Sequence, residues 1–386
     1  MYLIFTDTAD EFSRIKVSLG NSAKRVASES ELRDALEKYR DCHFVIIGSS
    51  IKPSVALAVA EELRISRPEV NSILVRQRLD VATLTKAISA GFRDVIDAQD
   101  PAALVTAVRH CEEIESKIAS SRQNHSLNRV RGRSILVYSA KGGSGKTTIS
   151  TNLASAIASD SDKQVCLVDL DLQFGDVAIS MRAEPEKTIS NLVEIKEHLD
   201  EVGVASAVTH LSENLDLLLA PVSPVDVESI DSELVTKIIG YLMNMYDIVI
   251  IDSAPTLNEI MLKVFETIDI ALLLTTLDMP AIKNLKVALE TLDAINFAPE
   301  RRFVIVNRSD AQIGLSIDDV AELVGVEVFA AIPTSSEVSA STNQGSPIVS
   351  LHPRHPVSRA LFELGRALTT HLAIDRSANL GLEQIA

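Results

Sequence analysis

The chain has 386 residues, of which 46% are hydrophobic and 23% charged, and its formal net charge is −16. This length and composition allow two domains, each with its own hydrophobic core. The negative charge disfavours broad binding to nucleic-acid phosphates, and aromatic residues at 4%, with no Trp, leave few stacking platforms for single strands. We therefore do not expect nucleic acid as a partner, although a local basic patch would still allow contact.

Export and membrane spanning are not predicted by the sequence. Residues 1–7 lack the basic start and long apolar core of a signal peptide, and no stretch approaches the ~20 apolar residues that cross a bilayer. The cysteines Cys42, Cys111 and Cys166 are widely spaced and form no C-x-x-C pair. We expect a cytoplasmic protein without an integral membrane segment, whose cysteines are reduced packing residues.

Residues 1–118 predict a small doubly wound α/β domain. Runs of strand type alternate with helical stretches, which is the pattern of a sheet covered by helices on both faces. The predicted strands are 2–6, 44–47, 72–75 and 94–96, and the predicted helices are 28–39, 55–64, 81–90 and 101 to about 120.

The order and size of these elements, and the segment Ala90–Asp94, resemble a response-regulator receiver domain, which implies a flavodoxin-like fold. The phosphoacceptor aspartate of a receiver would end the second predicted strand, where this chain has Gly48. No lysine follows the last strand, where Asp97 and Ala98 stand, and Asp7 alone cannot form the Mg²⁺ site of a receiver. We interpret the domain as a non-phosphorylated docking or dimerisation module; the alternative is an α/β domain only superficially like a receiver.

Residues 119–133 predict a linker between two domains. The segment is polar, has no apolar period and includes the arginines Arg122, Arg129, Arg131 and Arg133. Serine, asparagine and glutamine lie between these charges, which favours a solvated flexible tether. The alternative is a short arm that touches nucleic acid or an acidic partner.

The segment Lys141–Thr148, with sequence KGGSGKTT, predicts a phosphate-binding loop. It follows the apolar run 134–138 and opens a helical stretch, which is the context that distinguishes such a loop from a chance glycine-rich turn. Lys146 should reach the β- and γ-phosphates, and the Thr147 hydroxyl should bind Mg²⁺. The residues expected to contact the nucleotide here are Gly142, Gly143, Ser144, Gly145, Lys146, Thr147 and Thr148.

The lysine at the start of this loop is not needed for phosphate binding within one chain. Lys141 lies on the far side of the glycines from Lys146. A second cation that faces nucleotide in one loop suggests contact with phosphate bound to a partner subunit. Dimerisation would then be part of the chemistry.

Two further buried strands end in carboxylates. The apolar run 165–168 is followed by Asp169 and Asp171, and the run 248–251 is followed by Asp252. Each aspartate alone could be a solvated strand end or a helix cap, but together with the phosphate loop they favour a Mg²⁺ site. The expected metal set is Thr147, Asp169, Asp171 and Asp252.

These motifs resemble the deviant Walker A ATPases of the MinD and ParA superfamily over about residues 133–373. The segments that carry the resemblance are Lys141–Thr148, 168–176 (VDLDLQFGD), 252–255 (DSAP), 306–308 (VNR) and 332–333 (IP). The resemblance implies a P-loop fold with a mostly parallel sheet over residues 134–375, ATP and Mg²⁺ as cofactors, and a homodimer closed through an ATP sandwich.

The resemblance also assigns residue roles. It implies that the catalytic residues are Lys146, Lys141, which contacts the partner's nucleotide, and Asp171, which positions the attacking water. The adenine side would be formed by Asn307, Arg308 and Pro333. Because such a site is complete only in the dimer, we expect slow hydrolysis that a partner or the dimer stimulates.

The branch of the superfamily is suggested by Leu172, which stands where ParA proteins usually have proline, and by Gln173–Asp176. These residues look more like the corresponding segment of the pilus-assembly branch called CpaE or TadZ. That resemblance implies a switch ATPase that localises and organises Tad/Flp (type IV) pilus assembly, with pilus or secretion machinery proteins as partners that recruit it to a cell pole or an inner-membrane assembly.

Two other functional classes remain open. One is a DNA-partitioning or septum-placing ATPase, which should have a basic surface or a membrane helix. The expected tail 376–386 lacks the basic amphipathic character of a MinD-type tether. The other is a non-enzymatic protein that binds nucleotide as a structural ligand, which should have defects in the loop or at Asp171, and the sequence contains none.

We predict that incubation of the protein with acetyl phosphate and Mg²⁺ leaves residues 1–115 unmodified, because Gly48 replaces the acceptor carboxylate. Intact mass spectrometry measures this directly. A stable phosphate adduct that maps to these residues would mean that the acceptor strand has been misplaced.

Overall fold

The structure is a computed structural model that describes residues 1–19, 23–67, 70–100, 102–109, 111–112, 131–311 and 314–383. The chain divides into two compact units, Met1–His125 with Glu194–Val202 and Ser126–Val193 with Gly203–Ala386. Most of the expected linker 119–133 and the last part of the expected helix 101–120 lie outside the described residues. The two units are described separately below.

The first unit contains a five-stranded parallel sheet in the order β2-β1-β3-β4-β5. This is the flavodoxin-like order, with its switch point between β1 and β3. The strands are β1 (Tyr2–Phe5), β2 (Ala23–Val26), β3 (Phe44–Ile47), β4 (Asn71–Arg76) and β5 (Asp94–Asp97). The helices are α1 (Ala9–Leu19), α2 (Glu29–Lys38), α3 (Pro53–Ser66), α4 (Val81–Ala90) and α5 (residues 102–109).

Alternate residues of the central strands pack on opposite faces of this sheet. In β3, Val45 and Ile47 join one apolar cluster, and Phe44 and Ile46 join the other. A strand buried on both faces reads as a continuous apolar run, which is why the sequence predicted it. The sequence did not predict β2, because this edge strand exposes both of its basic residues and has no apolar run.

The second unit contains an eight-stranded sheet in the order β13-β12-β11-β6-β10-β7-β9-β8, in which only β8 runs antiparallel to its neighbour. The expected α/β class with a mostly parallel sheet is therefore confirmed. The strands are β6 (Arg133–Tyr138), β7 (Val165–Leu170), β8 (Thr209–Ser212), β9 (Leu215–Leu218), β10 (Ile248–Ser253), β11 (Ile270–Thr275), β12 (Arg302–Asn307) and β13 (Val328–Ile332).

Helices cover this sheet, with short 3₁₀ turns between some of the elements. The helices are α6 (Lys146–Asp160), α7 (Val177–Ser180), α8 (Glu201–Ala207), α9 (Ser232–Met245), α10 (Glu259–Thr267), α11 (Met279–Ala294), α12 (Ile317–Val324), α13 (Ser336–Asn343), α14 (Ile348–Leu351) and α15 (Pro356–Glu383). The 3₁₀ turns are Ile189–Leu192, Pro224–Ser229 and Pro299–Arg301, and a further one, Lys196–His198, is in the segment Glu194–Val202 that belongs to the first unit.

Helix α6 is buried along most of its length, and this holds its first turn in place. Leu153 of α6 is fully buried in the same apolar cluster as Ile135 of β6 and as Leu364 and Leu368 of α15. Strand β6 lies between β10 and β11, so the loop from β6 to α6 starts near the middle of the sheet.

The last helix runs into the expected tail 376–386. Helix α15 continues to Glu383, because no proline interrupts the helical stretch after Pro356. Within the described residues no helix has the length and apolar content of a membrane span. Cys42, Cys111 and Cys166 are all buried as free thiols.

Candidate nucleotide-binding site

The loop between β6 and α6 has the backbone conformation of a phosphate cradle. Gly143 and Gly145 take left-handed φ angles of 74° and 96°. The Asn307 side chain passes against this loop, and its Nδ2 donates to the Ser144 carbonyl at 2.8 Å. A Cβ at position 145 would lie 2.4 Å from Asn307 Nδ2. Glycine is therefore required at this position by both its φ angle and the close amide.

Lys146 is the first residue of α6 and is 8% exposed. Burial lowers the pKa of its ammonium group, while the negative charges of Asp252 and Asp171 raise it. A desolvated cation at a helix N-terminus is a strong attractor for phosphate oxygens. The structure thus places Lys146 at the carboxyl edge of the sheet, where the charges of two carboxylates act on it. Its contact with the β- and γ-phosphates stays a prediction.

Asp252, at the end of β10, is fully buried and accepts a hydrogen bond from Thr147 Oγ1 at 2.6 Å. Burial raises the pKa of Asp252 to about 6, although the Thr147 hydroxyl lowers it. The second oxygen, Oδ1, is buried and has no hydrogen-bond partner in the described part of the chain. A buried carboxylate oxygen without a partner suits a bound cation or its water.

These residues fit a Mg²⁺ ion that arrives with a nucleotide. Among the described residues no group of three or more His, Cys, Asp or Glu side chains could hold a metal alone. Magnesium is usually held by one or two protein oxygens together with phosphates and water. Thr147 and Asp252 would supply the protein part, and the ion would neutralise phosphate charge.

Asp169 does not fit the metal-ligand role that the sequence suggested. It is 1% exposed, and its two oxygens accept from the Asp171 amide at 3.1 Å and the Val177 amide at 3.2 Å. A Cβ at Gly175 would lie 2.4 Å from Asp169 Oδ2. Burial raises the pKa of Asp169 well above its ordinary value. The side chain therefore orders the loop after β7. Metal ligation by Thr147, Asp171 and Asp252 stays a prediction.

Asp171 is carried by that loop and is partly exposed. Burial raises the pKa of Asp171, and the charge of Lys146 lowers it. The Asp171 carbonyl accepts a hydrogen bond from the Phe174 amide at 3.2 Å, which closes a turn. The carboxylate is thus held within electrostatic reach of Lys146, with access to solvent.

Lys141 is at the rim of the site. Its Nζ lies 2.7 Å from Asp278 Oδ1, and the two side chains are 36% and 28% exposed. Asp278 is also the N-cap of α11, accepting from the Ala281 amide at 3.1 Å and from Thr276 Oγ1 at 2.6 Å. Burial would raise the pKa of Asp278, but the hydrogen bonds from Lys141 and Thr276 lower it below its ordinary value.

Asp278 was not singled out in the sequence. The Asp278-Met279-Pro280 run is readable as a helix start, with Asp as N-cap and proline in the first turn. Nothing local indicates that its carboxylate meets Lys141, which is 137 residues away in the chain.

The segments after β12 and β13 lie together beside the loop. The Ser309 amide donates to the Ile332 carbonyl at 3.0 Å, next to Pro333. Arg308 has a φ of 55°, and its amide donates to Asn307 Oδ1 at 3.0 Å. A cavity of about 190 Å³ lies between this side and Lys141. It is smaller than the ~300–1,000 Å³ of typical small-molecule sites, so it would hold only part of a nucleotide.

Most of the expected site residues thus come together at one edge of the sheet. Gly142 is exposed, and a Cβ there would meet no atom within 4 Å. The Thr148 carbonyl accepts from Asn152 Nδ2 at 2.8 Å, so its backbone belongs to the first turn of α6. Nucleotide contact by all of the expected site residues, including Gly142, Thr148 and Pro333, stays a prediction.

Comparison with known proteins agrees with this geometry. Residues 132–305 match the family model of the AAA domain. The septum site-determining protein MinD of Thermotoga maritima is 28% identical over 249 residues, which cover 61% of this chain and 88% of that protein. Over this stretch the second unit is similar in sequence to MinD proteins.

Solved structures share the fold of the second unit. A ParA family ATPase from Chlorobium tepidum has a TM-score of 0.58 at 23% identity, covering 60% of this chain and 98% of that one. The MinD protein of Pyrococcus horikoshii, complexed with Mg-ADP, has a TM-score of 0.55 at 22% identity, covering 61% of this chain and 96% of that one. The AAA domain match begins at residue 132, after the segment Met1–His125 of the first unit.

We predict that Lys146→Ala weakens ATP binding roughly hundredfold or more, because it removes the buried cation from the phosphates. Lys141→Ala is the matched control, since it removes a rim lysine of the same loop. It should change ATP binding by the monomer by less than about threefold and should weaken the ATP-dependent dimer. Calorimetry and light scattering measure the two effects. Equal loss of ATP binding in both variants would contradict the partner-facing role of Lys141.

Proposed function

We propose that the chain is a slow ATPase that dimerises when it binds ATP and acts as a molecular switch. The observation that carries the proposal is the difference between the two lysines of one loop. Lys146 is buried and faces Asp171 and Asp252, whereas Lys141 is at the rim and is held by Asp278. Lys146 contacts the nucleotide of its own chain. Lys141 can leave Asp278 and turn outward to the nucleotide of a second protomer.

Within one protomer the residues perform three tasks on ATP. Lys146 and the loop amides offset the charge of the β- and γ-phosphates, and Mg²⁺ on Thr147 and Asp252 adds further positive charge when it is bound. Asp171 orients the water that attacks the γ-phosphate. Support for the nucleotide comes from the related MinD structure, which was solved with Mg-ADP.

The second protomer completes the charge balance. Lys141 would leave Asp278 and contact phosphate on the partner subunit. An exposed ion pair is worth only ~0.2–1 kcal/mol, so this exchange costs little compared with a charge-assisted bond to phosphate. Turnover is then slow in the monomer and depends on assembly of the dimer or on a further partner.

Two cellular settings are supported by different observations. The name of the matched relative, a septum site-determining protein, supports septum placement or DNA partitioning. The segment Leu172–Asp176 and the flavodoxin-like first unit support the pilus-assembly setting, in which the protein organises Tad/Flp pili with secretion machinery proteins. In both settings the proposed protein marks a position in the cell. The relatives favour the first setting, and the experiment with Asp171 below separates the two.

We predict that Asp278→Asn strengthens the ATP-dependent dimer by up to about fivefold per protomer. Asparagine can still cap α11, so the variant removes the charge that holds Lys141 without removing the cap. Analytical ultracentrifugation with ATP measures the dissociation constant. Asp293→Asn is the matched control, because Asp293 is on the same helix and pairs with Arg302. A weaker dimer in Asp278→Asn would indicate that the Lys141–Asp278 pair persists in the dimer.

We predict that Asp171→Ala keeps ATP affinity and stops turnover, so that the protein accumulates as an ATP-bound dimer. A fluorescent fusion should persist as a focus at the site of pilus assembly, with fewer pili, if the pilus setting holds. It should coat the nucleoid if partitioning holds, or persist at the division plane if septum placement holds. Asp176→Ala is the control, since Asp176 lies in the same segment and makes no side-chain cap to α7. Normal turnover in Asp171→Ala would contradict the catalytic assignment itself.

A further inference from the structure

A buried carboxylate lies at the carboxyl-end crevice of the first unit. Glu11 of α1 is 5% exposed. Its Oε1 accepts hydrogen bonds from the amide and the hydroxyl of Ser49, both at 2.6 Å. Its Oε2 accepts from Thr6 Oγ1 at 2.6 Å and from the Ser50 amide at 3.3 Å. The crevice therefore supplies four donors to one carboxylate.

Glu11 takes the space that a side chain at position 48 would need. A Cβ at Gly48 would lie 2.4 Å from Glu11 Oε2, 2.8 Å from Glu11 Cδ and 3.1 Å from Thr6 Cβ. Side chains do not approach one another so closely, so either residue 11 or residue 48 can fill this space, but not both. Glutamate at 11 and glycine at 48 are thus a matched pair.

A buried guanidinium adds positive charge to the same crevice. Arg76, at the end of β4, is 8% exposed, and its Nη1 donates to the carbonyls of Gly48 at 3.0 Å and Val75 at 2.9 Å. Its Nε and Nη2 are buried and have no hydrogen-bond partner among the residues that the structure describes. Burial lowers the pKa of Arg76, and the charge of Glu11 raises it. Amides, hydroxyls and a cation are the groups that bind anions.

The charge of Glu11 is retained over the physiological range. Burial by itself would raise its pKa, but the hydrogen bonds from Ser49, Thr6 and Ser50 lower the pKa to about 2. A folded-state pKa below the unfolded value contributes stability that is present above the ordinary carboxyl pKa of 4.5 and is lost as the pH falls towards about 2.

We propose that Glu11 is a resident anion of this crevice, which excludes exogenous anions and phosphoryl groups and holds residues 49–51 in one conformation. Open α/β sheets bind their ligands at this switch point, and here the chain fills the place with its own carboxylate. The first unit therefore presents the same surface whatever phosphate donors are present. This inference goes beyond the nucleotide switch and does not depend on it.

Hydrogen exchange of the full chain tests the proposal. Glu11→Ala should speed amide exchange in peptides that cover residues 44–51 by about tenfold or more, because the donors lose their charged acceptor. Acetate or inorganic phosphate should enter the vacated cradle and restore slow exchange in this variant alone. The matched control is Asp10→Ala, since Asp10 is the exposed acid beside Glu11 in the first turn of α1.

ATP binding is measured alongside hydrogen exchange. It depends on the second unit and should be unchanged in both variants. Exchange that is unchanged in Glu11→Ala, or that is faster but not slowed by acetate or phosphate, overturns the proposal. If the alanine variant does not fold, Glu11→Gln removes the charge of the acceptor with the side-chain shape retained. Faster exchange over residues 44–51 in Glu11→Gln supports the resident anion, and unchanged exchange overturns it.

A double-mutant cycle tests the pairing of residues 11 and 48. Gly48→Ala should lower the thermal unfolding midpoint of the protein with Glu11 present. The same substitution should lower it much less in the Glu11→Ala background, where the space is free. Additive effects of the two substitutions would show that Glu11 does not fill the space over residue 48 and would overturn the proposal.

Discussion

The buried ammonium group of Lys146 is the charge around which the second unit is arranged. A cation at 8% exposure is costly unless opposite charges and hydrogen bonds compensate its lost hydration. Asp252 and Asp171 provide this compensation because β10 and β7 are adjacent parallel strands whose carboxyl ends lie beside the loop after β6. Thr147 then bonds to Asp252, and Asp169 fixes the loop that carries Asp171.

The two lysines of the phosphate loop have different energetic constraints. Lys146 has already lost most of its water, so a phosphate gains its full attraction without further desolvation of the cation. Lys141 keeps part of its hydration and pairs with a carboxylate that also caps α11. Exchange of partners at such an exposed site is inexpensive. Lys146 is buried and stays in place, whereas Lys141 is at the rim and can change its partner. This combination suits a site that a second protomer completes.

The two units use the same kind of crevice in opposite ways. Parallel strands end at a common edge in both, where backbone amides and polar side chains converge. In the first unit, the Glu11 carboxylate accepts hydrogen bonds from four donors and occupies the crevice. In the second, Asp252 Oδ1 and Ser144 Oγ are buried without partners among the described residues, as are Nε and Nη2 of Arg76 in the first, so the difference is the carboxylate that occupies the first crevice. A filled crevice suits a docking module, and an unfilled one suits a nucleotide site.

The sequence alone predicted the phosphate loop and most strands of the first unit, whereas the mostly parallel sheet of the second unit was implied by the family resemblance. Lys141–Thr148 is contiguous, so its chemistry is visible without a fold, and strands buried on both faces appear as apolar runs such as Phe44–Ile47. The edge strand β2 was not predicted because both of its basic residues are exposed and it contains no apolar run. Local patterns of this kind depend only on neighbours in the chain.

Only the tertiary structure decided which distant residues meet. The contact of Lys141 with Asp278 joins positions 137 residues apart, and that of Glu11 with Ser49 joins positions 38 apart. Asp169 looked like a metal ligand from its strand-end position, but the fold directs both of its oxygens to backbone amides. Such contacts arise from the packing of separate elements, and packing leaves no periodic trace in the sequence from which a partner could be identified.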